Sequence, residues 1–235
     1  MNRQAYYRWN RWLHKWVGLL LGIQLVFWIG GGLLMASLDI DDVHGDHLRH
    51  PQSLALPATR YQYPIHEILT AHNINPKQVA YISIGEEPVY KVIGESTAYF
   101  SAIDGRAMPT LDASAIKAIA VSLFTRSEAV HQAEMLQSLP MEARPLKPPM
   151  WRVDFSDSDN TSFYLHPISG ELQRVRSDIW RLFDFVWMLH IMDYDTRDNF
   201  NHPLLIGFAG SALIFTFTGL VLLYQQLISR RVKRR

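Results

Sequence analysis

Apolar positions fall into two unbroken stretches, residues 16–38 and 203–228, neither holding an Asp, Glu, Lys or Arg. At about 1.5 Å per residue, each is long enough to cross a bilayer core of about 30 Å as a helix. The intervening segment, 39–202, has no such run. It alternates apolar with polar positions over short lengths broken by Gly, Pro, Asn and Asp, a pattern of short helices and strands. The chain is therefore expected to be an α+β membrane protein, with two transmembrane helices flanking a folded region.

Within that region a pattern occurs twice. Residues 39–63 are polar and contain Pro, and are expected to form a linker. The first repeat, 64–110, opens with a short helix at 64–72. Strands follow at 78–84, 89–93 and 97–102, and the unit closes on Asp104-Gly105-Arg106, a tight-turn signal. The second repeat, 111–176, starts with Asp112 as N-cap of a helix at 113–124, which aligns Ile116, Ile119, Ala120 and Leu123. A strand is expected at 129–136. An irregular loop follows, marked by Pro140, Pro145, Pro148 and Pro149, then strands at 150–155 and 161–166 and a turn at Ser169-Gly170. Helix, three antiparallel strands and a Gly turn, used twice, indicate an internal duplication of units too small to hold good cores alone. Residues 177–193 place Trp180, Phe183, Trp187 and Ile191 at helical spacing, with Arg181 and Asp184 to one side. That predicts an amphipathic helix on the outer membrane surface.

Charge orients the chain. Arg3, Arg8, Arg11 and Lys15 precede the first span, and Arg230, Arg231, Lys233, Arg234 and Arg235 follow the second, with no acid among them. Basic flanks stay cytoplasmic, so the N-terminus (1–15) and tail (229–235) are expected on the cytoplasmic side and the middle on the far side of the membrane. The middle keeps 14 of the 23 Lys and Arg and all 22 Asp and Glu, a net −8 concealed within an overall +1. Such an acidic segment excludes nucleic acid as a partner; the basic ends touch anionic lipid. The first span is expected to be a retained anchor. Its apolar core exceeds the roughly 7–15 residues of a signal peptide, and Leu34-Met35-Ala36-Ser37-Leu38 makes a poor cleavage site.

Chemistry is narrowed by what is missing. With no cysteine there is no disulfide, thiol nucleophile or iron–sulfur ligation. The sequence has no HExxH helix, Gly-rich phosphate loop or Gly-x-Ser-x-Gly elbow, and its acids and serines single out no catalytic pair.

The entrance Arg11-Trp12-Leu13-His14-Lys15-Trp16-Val17-Gly18, the aromatic strands ending on Asp-Gly or Ser-Gly, and Thr216-Phe217-Thr218-Gly219-Leu220 before Arg230-Arg231 together resemble the PepSY-associated transmembrane proteins. The resemblance implies tandem PepSY-like domains. It points to a group that includes inner-membrane siderophore-iron reductases carrying b-type haem on membrane histidines. The larger reductases have more spans than two. Isolated PepSY domains instead bind or inhibit peptidases.

An axial haem ligand is a neutral imidazole, usually with its other nitrogen hydrogen-bonded. His14, His190 and His202 are the candidates; His14 and the Leu189-His190 pair match family elements. The inferred topology sets His14 about 30 Å from His190 and His202, so one haem cannot join the two levels within a chain. His14 then needs a nitrogen from a second copy or another redox subunit. His190 and His202 can share a haem only if the chain folds back between them. Gly18 with Gly22, and Gly207 with Ser211, are small-residue pairs suited to a homodimer. Outside the first span, His44, His47 and His50 among Asp39, Asp41, Asp42 and Asp46 form either a metal site for zinc, copper or ferrous iron or a solvated linker. His66, His72, His131 and His166 read as ordinary surface or packing residues.

Two functions fit. One is an accessory in periplasmic electron transfer or iron reduction, with an outer domain that docks a siderophore substrate or a redox partner. The other is a membrane-anchored, non-catalytic binding module for a periplasmic protein.

Overall fold

A computed structural model describes residues 3–52, 63–85 and 87–232. The part of the expected linker at 53–62 lies outside them. Contacts divide the chain into two compact units, residues 1–39 with 181–235, and residues 40–180.

The first unit is built on two long helices, α1 (Arg3–Ser37) and α6 (Pro203–Val232), which pack on each other. Tyr7–Ser37 and Pro203–Leu227 are long and apolar enough to cross a membrane. Helix α1 begins well before the apolar run. Its first turns carry Arg8, Arg11 and Lys15, so the lipid boundary and the helix boundary do not coincide. Most of α5 (Asp178–Ile191) also belongs here. A connection rich in Asp and Asn joins α5 to α6. In it the Asp193 carboxylate accepts the backbone N–H groups of Asp195, Thr196, Asp198 and Asn199 and the Thr196 hydroxyl. Hydrogen bonds, that of the Thr196 hydroxyl first, hold this carboxyl below the ordinary carboxylate range. Arg197 turns back onto Asp184, while Trp187 donates to the Arg197 carbonyl and stacks edge-on with Phe200. The chain thus folds back on α5 before entering α6.

The second unit holds two antiparallel sheets. Helix α3 (Ile65–Ala71) covers the meander β1 (Gln78–Ile84), β2 (Glu87–Ile93) and β3 (Thr97–Ser101). The core between them is Ile68, Tyr90, Val92, Phe100 and Ala102. Helix α4 (Ala113–Leu123) does the same for β4 (Val130–Leu136), β5 (Met150–Phe155), β6 (Ser162–Leu165) and β7 (Leu172–Arg176). Here Phe124, Phe155 and Phe163 form an aromatic cluster with Phe124 stacked on Phe155 at 4.0 Å. Both repeats place a glycine in the left-handed region after their third strand, Gly105 at φ +76° and Gly170 at φ +66°, a conformation open to few other residues.

Two expectations need correction. The second sheet has four strands, not three, because the chain after Gly170 adds β7 along β6. Residues 40–52 do not behave as a solvated linker. They form helix α2 (Ile40–His44) and a 3-10 turn at Asp46–Leu48, bury Val43 and Leu48, and pair Arg49 with Phe124. Those two apolar side chains dock it, together with backbone bonds from His50 N–H to the Leu123 carbonyl and from Thr125 N–H to the Leu48 carbonyl.

Candidate functional site

His14 sits on the face of α1 that meets α6. Its Nδ1 lies 2.9 Å from Thr218 Oγ1, and the ring stacks on Phe215 at 4.2 Å and 6°. The Thr218 hydroxyl donates its own proton to the Phe215 carbonyl at 2.8 Å. With that proton so placed, its oxygen accepts from His14 Nδ1–H, the tautomer that leaves the lone pair on Nε2. No hydrogen bond reaches Nε2 among the described residues. Close approach of the helices depends on glycine: a Cβ on Gly219 would stand 3.0 Å from His14 Cε1, and one on Gly18 would stand 2.6 Å from Phe215. Gly18 is thus occupied by the helix pairing inside one chain. A Cβ added at Gly22 or at Gly207 would meet nothing within 4 Å.

His190, near the end of α5, meets α1 at a second level. Its carbonyl accepts Trp28 Nε1–H at 2.7 Å, its ring lies 5.2 Å from the Trp28 ring, and a Cβ on Gly32 would be in ordinary contact with Cε1 at 3.6 Å. Trp28 also meets Phe208 of α6 edge-on at 5.4 Å. The Nδ1 atom of His190 is buried without a hydrogen-bond partner, and so is that of His202. The His202 carbonyl accepts the first helical N–H of α6, from Ile206. From His14 to the Trp28–Gly32 level is 14 to 18 residues along α1, about 21–27 Å. The two levels are separate sites.

The remaining histidines are dispersed. His47 Nδ1 pairs with Asp42 at 3.2 Å, His44 lines a cavity beside β7, and the His50 N–H bonds the Leu123 carbonyl. Among the described residues no three His, Asp or Glu side chains come together as a metal site. His72 tilts against Phe100 at 4.8 Å. His166 takes the Ile168 and Ser169 N–H groups on Nδ1 and packs by Tyr99 at 5.0 Å. Burial, then the Lys91 charge, pushes its pKa down; Glu171 opposes this.

A haem ligand set fits these donors at the level of single atoms. His14 offers a ring with one nitrogen engaged by Thr218, and His190 and His202 each offer a buried Nδ1 with no other partner. Thr218, Phe215 and Trp28 carry no direct sign in the sequence of their supporting roles. The one pointer is the Thr218-Gly219 pair, whose small side chains permit the close helix approach.

No curated protein matches the chain, and no solved structure does. The family described as the PepSY-associated TM region matches residues 11–235. That match runs from the basic entrance of α1, through both repeats, to the C-terminal end, and the chain belongs to this family.

Proposed function

We propose that this membrane protein is an accessory in periplasmic electron transfer or siderophore-iron reduction, carrying b-type haem on membrane histidines. It resides in the bacterial inner membrane with both termini cytoplasmic and residues 40–180 in the periplasm. The observation that carries this reading is the chain of hydrogen bonds from His14 to Thr218 to the Phe215 carbonyl. It orients the imidazole and leaves Nε2 open to ligate, the arrangement that ligating histidines use. Haem, when bound, supplies one-electron chemistry; the chain supplies ring orientation, an apolar setting and helix spacing. At each level a second nitrogen is needed. At the outer level we assign it to His202 opposite His190, whereas His14 requires the same residue of a second copy or a histidine of another subunit.

The test is a reduced-minus-oxidised absorption spectrum of the full chain purified from haem-replete cells. A b-type spectrum that is lost in His14→Ala or His190→Ala supports the reading. A haem-free preparation, or a spectrum unchanged in both variants, overturns it. Thr218→Val is expected to weaken haem retention about tenfold or more, as loss of a supporting hydrogen bond does.

A second reading rests on the sheet edges. Strands β1 and β4 each pair on one side only, and such edges accept an added strand. The protein is then a membrane-anchored, non-catalytic binding module for a periplasmic protein such as a peptidase. Capture of a purified peptidase that survives the histidine changes but fails after Val79→Pro or Gln132→Pro favours this reading over the redox one.

A further inference from the structure

The second unit contains a cavity of about 440 Å³ beside β7, lined in part by His44, Asp46, Arg49, Arg174, Arg176 and Trp180. β7 is an edge strand. Along it side chains alternate between faces: Val175 enters the core with Phe163, and Arg174 and Arg176 share the opposite face. Arg176 is held firmly. Its Nε donates to the Glu142 carbonyl at 2.6 Å, its Nη1 to the Val175 carbonyl at 2.8 Å, and its guanidinium lies 3.9 Å over the Trp180 ring. Arg49 pairs with Asp46 across 2.5 Å, which offsets the cavity's carboxylate. Arg174 is half-buried, and its Nη1 donates to the neighbouring Gln173 carbonyl at 2.7 Å. Among the described residues it has no carboxylate within ion-pair distance.

We propose that this cavity is a binding site for a small molecule bearing carboxylate or phosphate groups, held by Arg174 and Arg49 with a face against Trp180. The charge argument is local. Residues 39–202 carry a net −8, yet this cavity gathers three guanidinium groups against one carboxylate. Like charges brought together around a half-enclosed space repel, and an oxyanion relieves that repulsion while matching the planar guanidinium fork. A metal cation is disfavoured, since guanidinium has no lone pair to give. The volume falls within the range of small-molecule sites. The inference is independent of whether the membrane histidines hold haem.

The experiment uses the full chain in a non-ionic detergent. Citrate and inorganic phosphate are titrated calorimetrically in one arm, dihexanoyl phosphatidylglycerol and dihexanoyl phosphatidylcholine in the other. We expect saturable binding of an anion that weakens as sodium chloride is raised. Arg174→Gln should reduce affinity at least tenfold with an unchanged melting midpoint, and Arg174→Lys should recover part of it. Trp180→Phe should abolish the anion-induced fluorescence change and leave the chain folded. Binding of phosphatidylglycerol alone, still lost in Arg174→Gln, supports the site with a lipid headgroup as its source. The proposal is overturned by no saturable binding of any anion, or by affinity that both Arg174→Gln and Arg49→Gln leave unchanged.

Discussion

The two α+β repeats share one plan and differ in how each closes its core. Among the described residues, the first packs α3 on three strands around a cluster of five buried side chains; the second packs α4 on four strands around a cluster of eleven. Part of the extra burial comes from outside the repeated pattern, two of the eleven side chains. Leu48 arrives from the stretch before the first repeat, and Val175 from the added strand. Their helices also start differently. Asp112 accepts the Ala115 N–H at 2.8 Å, whereas Pro64 gives α3 no side-chain cap. The two frameworks are alike in plan, yet the helix and central strands of the second already bury more than those of the first, and Leu48 and Val175 enlarge that core further.

The most forceful way to break this comparison is Leu48→Ala. Leu48 is fully buried, and its truncation is expected to cost about 2–5 kcal/mol. Urea unfolding in detergent, followed by hydrogen exchange in β5 and β6, measures it. Unchanged protection in those strands would reduce residues 40–52 to an appendage.

Gly170→Ala comes next. An added Cβ would lie 2.6 Å from Ile119 and 3.3 Å from Leu111, at a positive φ, so a loss of about 1–3 kcal/mol is expected. The matching change Gly105→Ala brings its Cβ to 2.5 Å from the ring of Tyr63, which packs on the first core, so a loss of similar size is expected there. A loss at one turn alone would mean that the packing beneath the turns, and not their shared backbone, sets the cost.

Asp112→Ala should cost about 1 kcal/mol through loss of the N-cap, while Pro64→Ala should change thermal stability little. Circular dichroism melts separate the two.

The smallest effect concerns acidity. His166 has a folded-state pKa below 6.5, so its contribution is present above that value and is lost as pH falls through and below it. The melting midpoint should therefore drop between pH 7.5 and pH 5.5, and His166→Gln should flatten that part of the profile. A profile that His166→Gln leaves unaltered would assign the dependence elsewhere.

Much of this architecture is legible in the residue pattern because alternation and turn chemistry agree. The β-branched and aromatic run at β1 to β3 lies between Gly turns, and Asp112 stands before an apolar helical face. What escapes has little hydrophobic signal. β7 reads Leu-Gln-Arg-Val-Arg, with one buried apolar side chain, and residues 40–52 conceal Val43 and Leu48 among acids and histidines. His14 stands out as a candidate from its motif. The partner that orients it, Thr218, lies 204 residues away, a pairing that only the antiparallel return of the chain creates. The cationic cavity is illegible for the same reason, since Arg49 and Arg174 meet only after the sheet forms.

Helix α1 runs without a break from Arg3 to Ser37, a rod of about 52 Å by the rise of an α-helix, against roughly 30 Å of hydrocarbon. Arg3 to Lys15 take up about 20 Å of that length, so the basic entrance is ordered helix that continues the spanning segment beyond its apolar run.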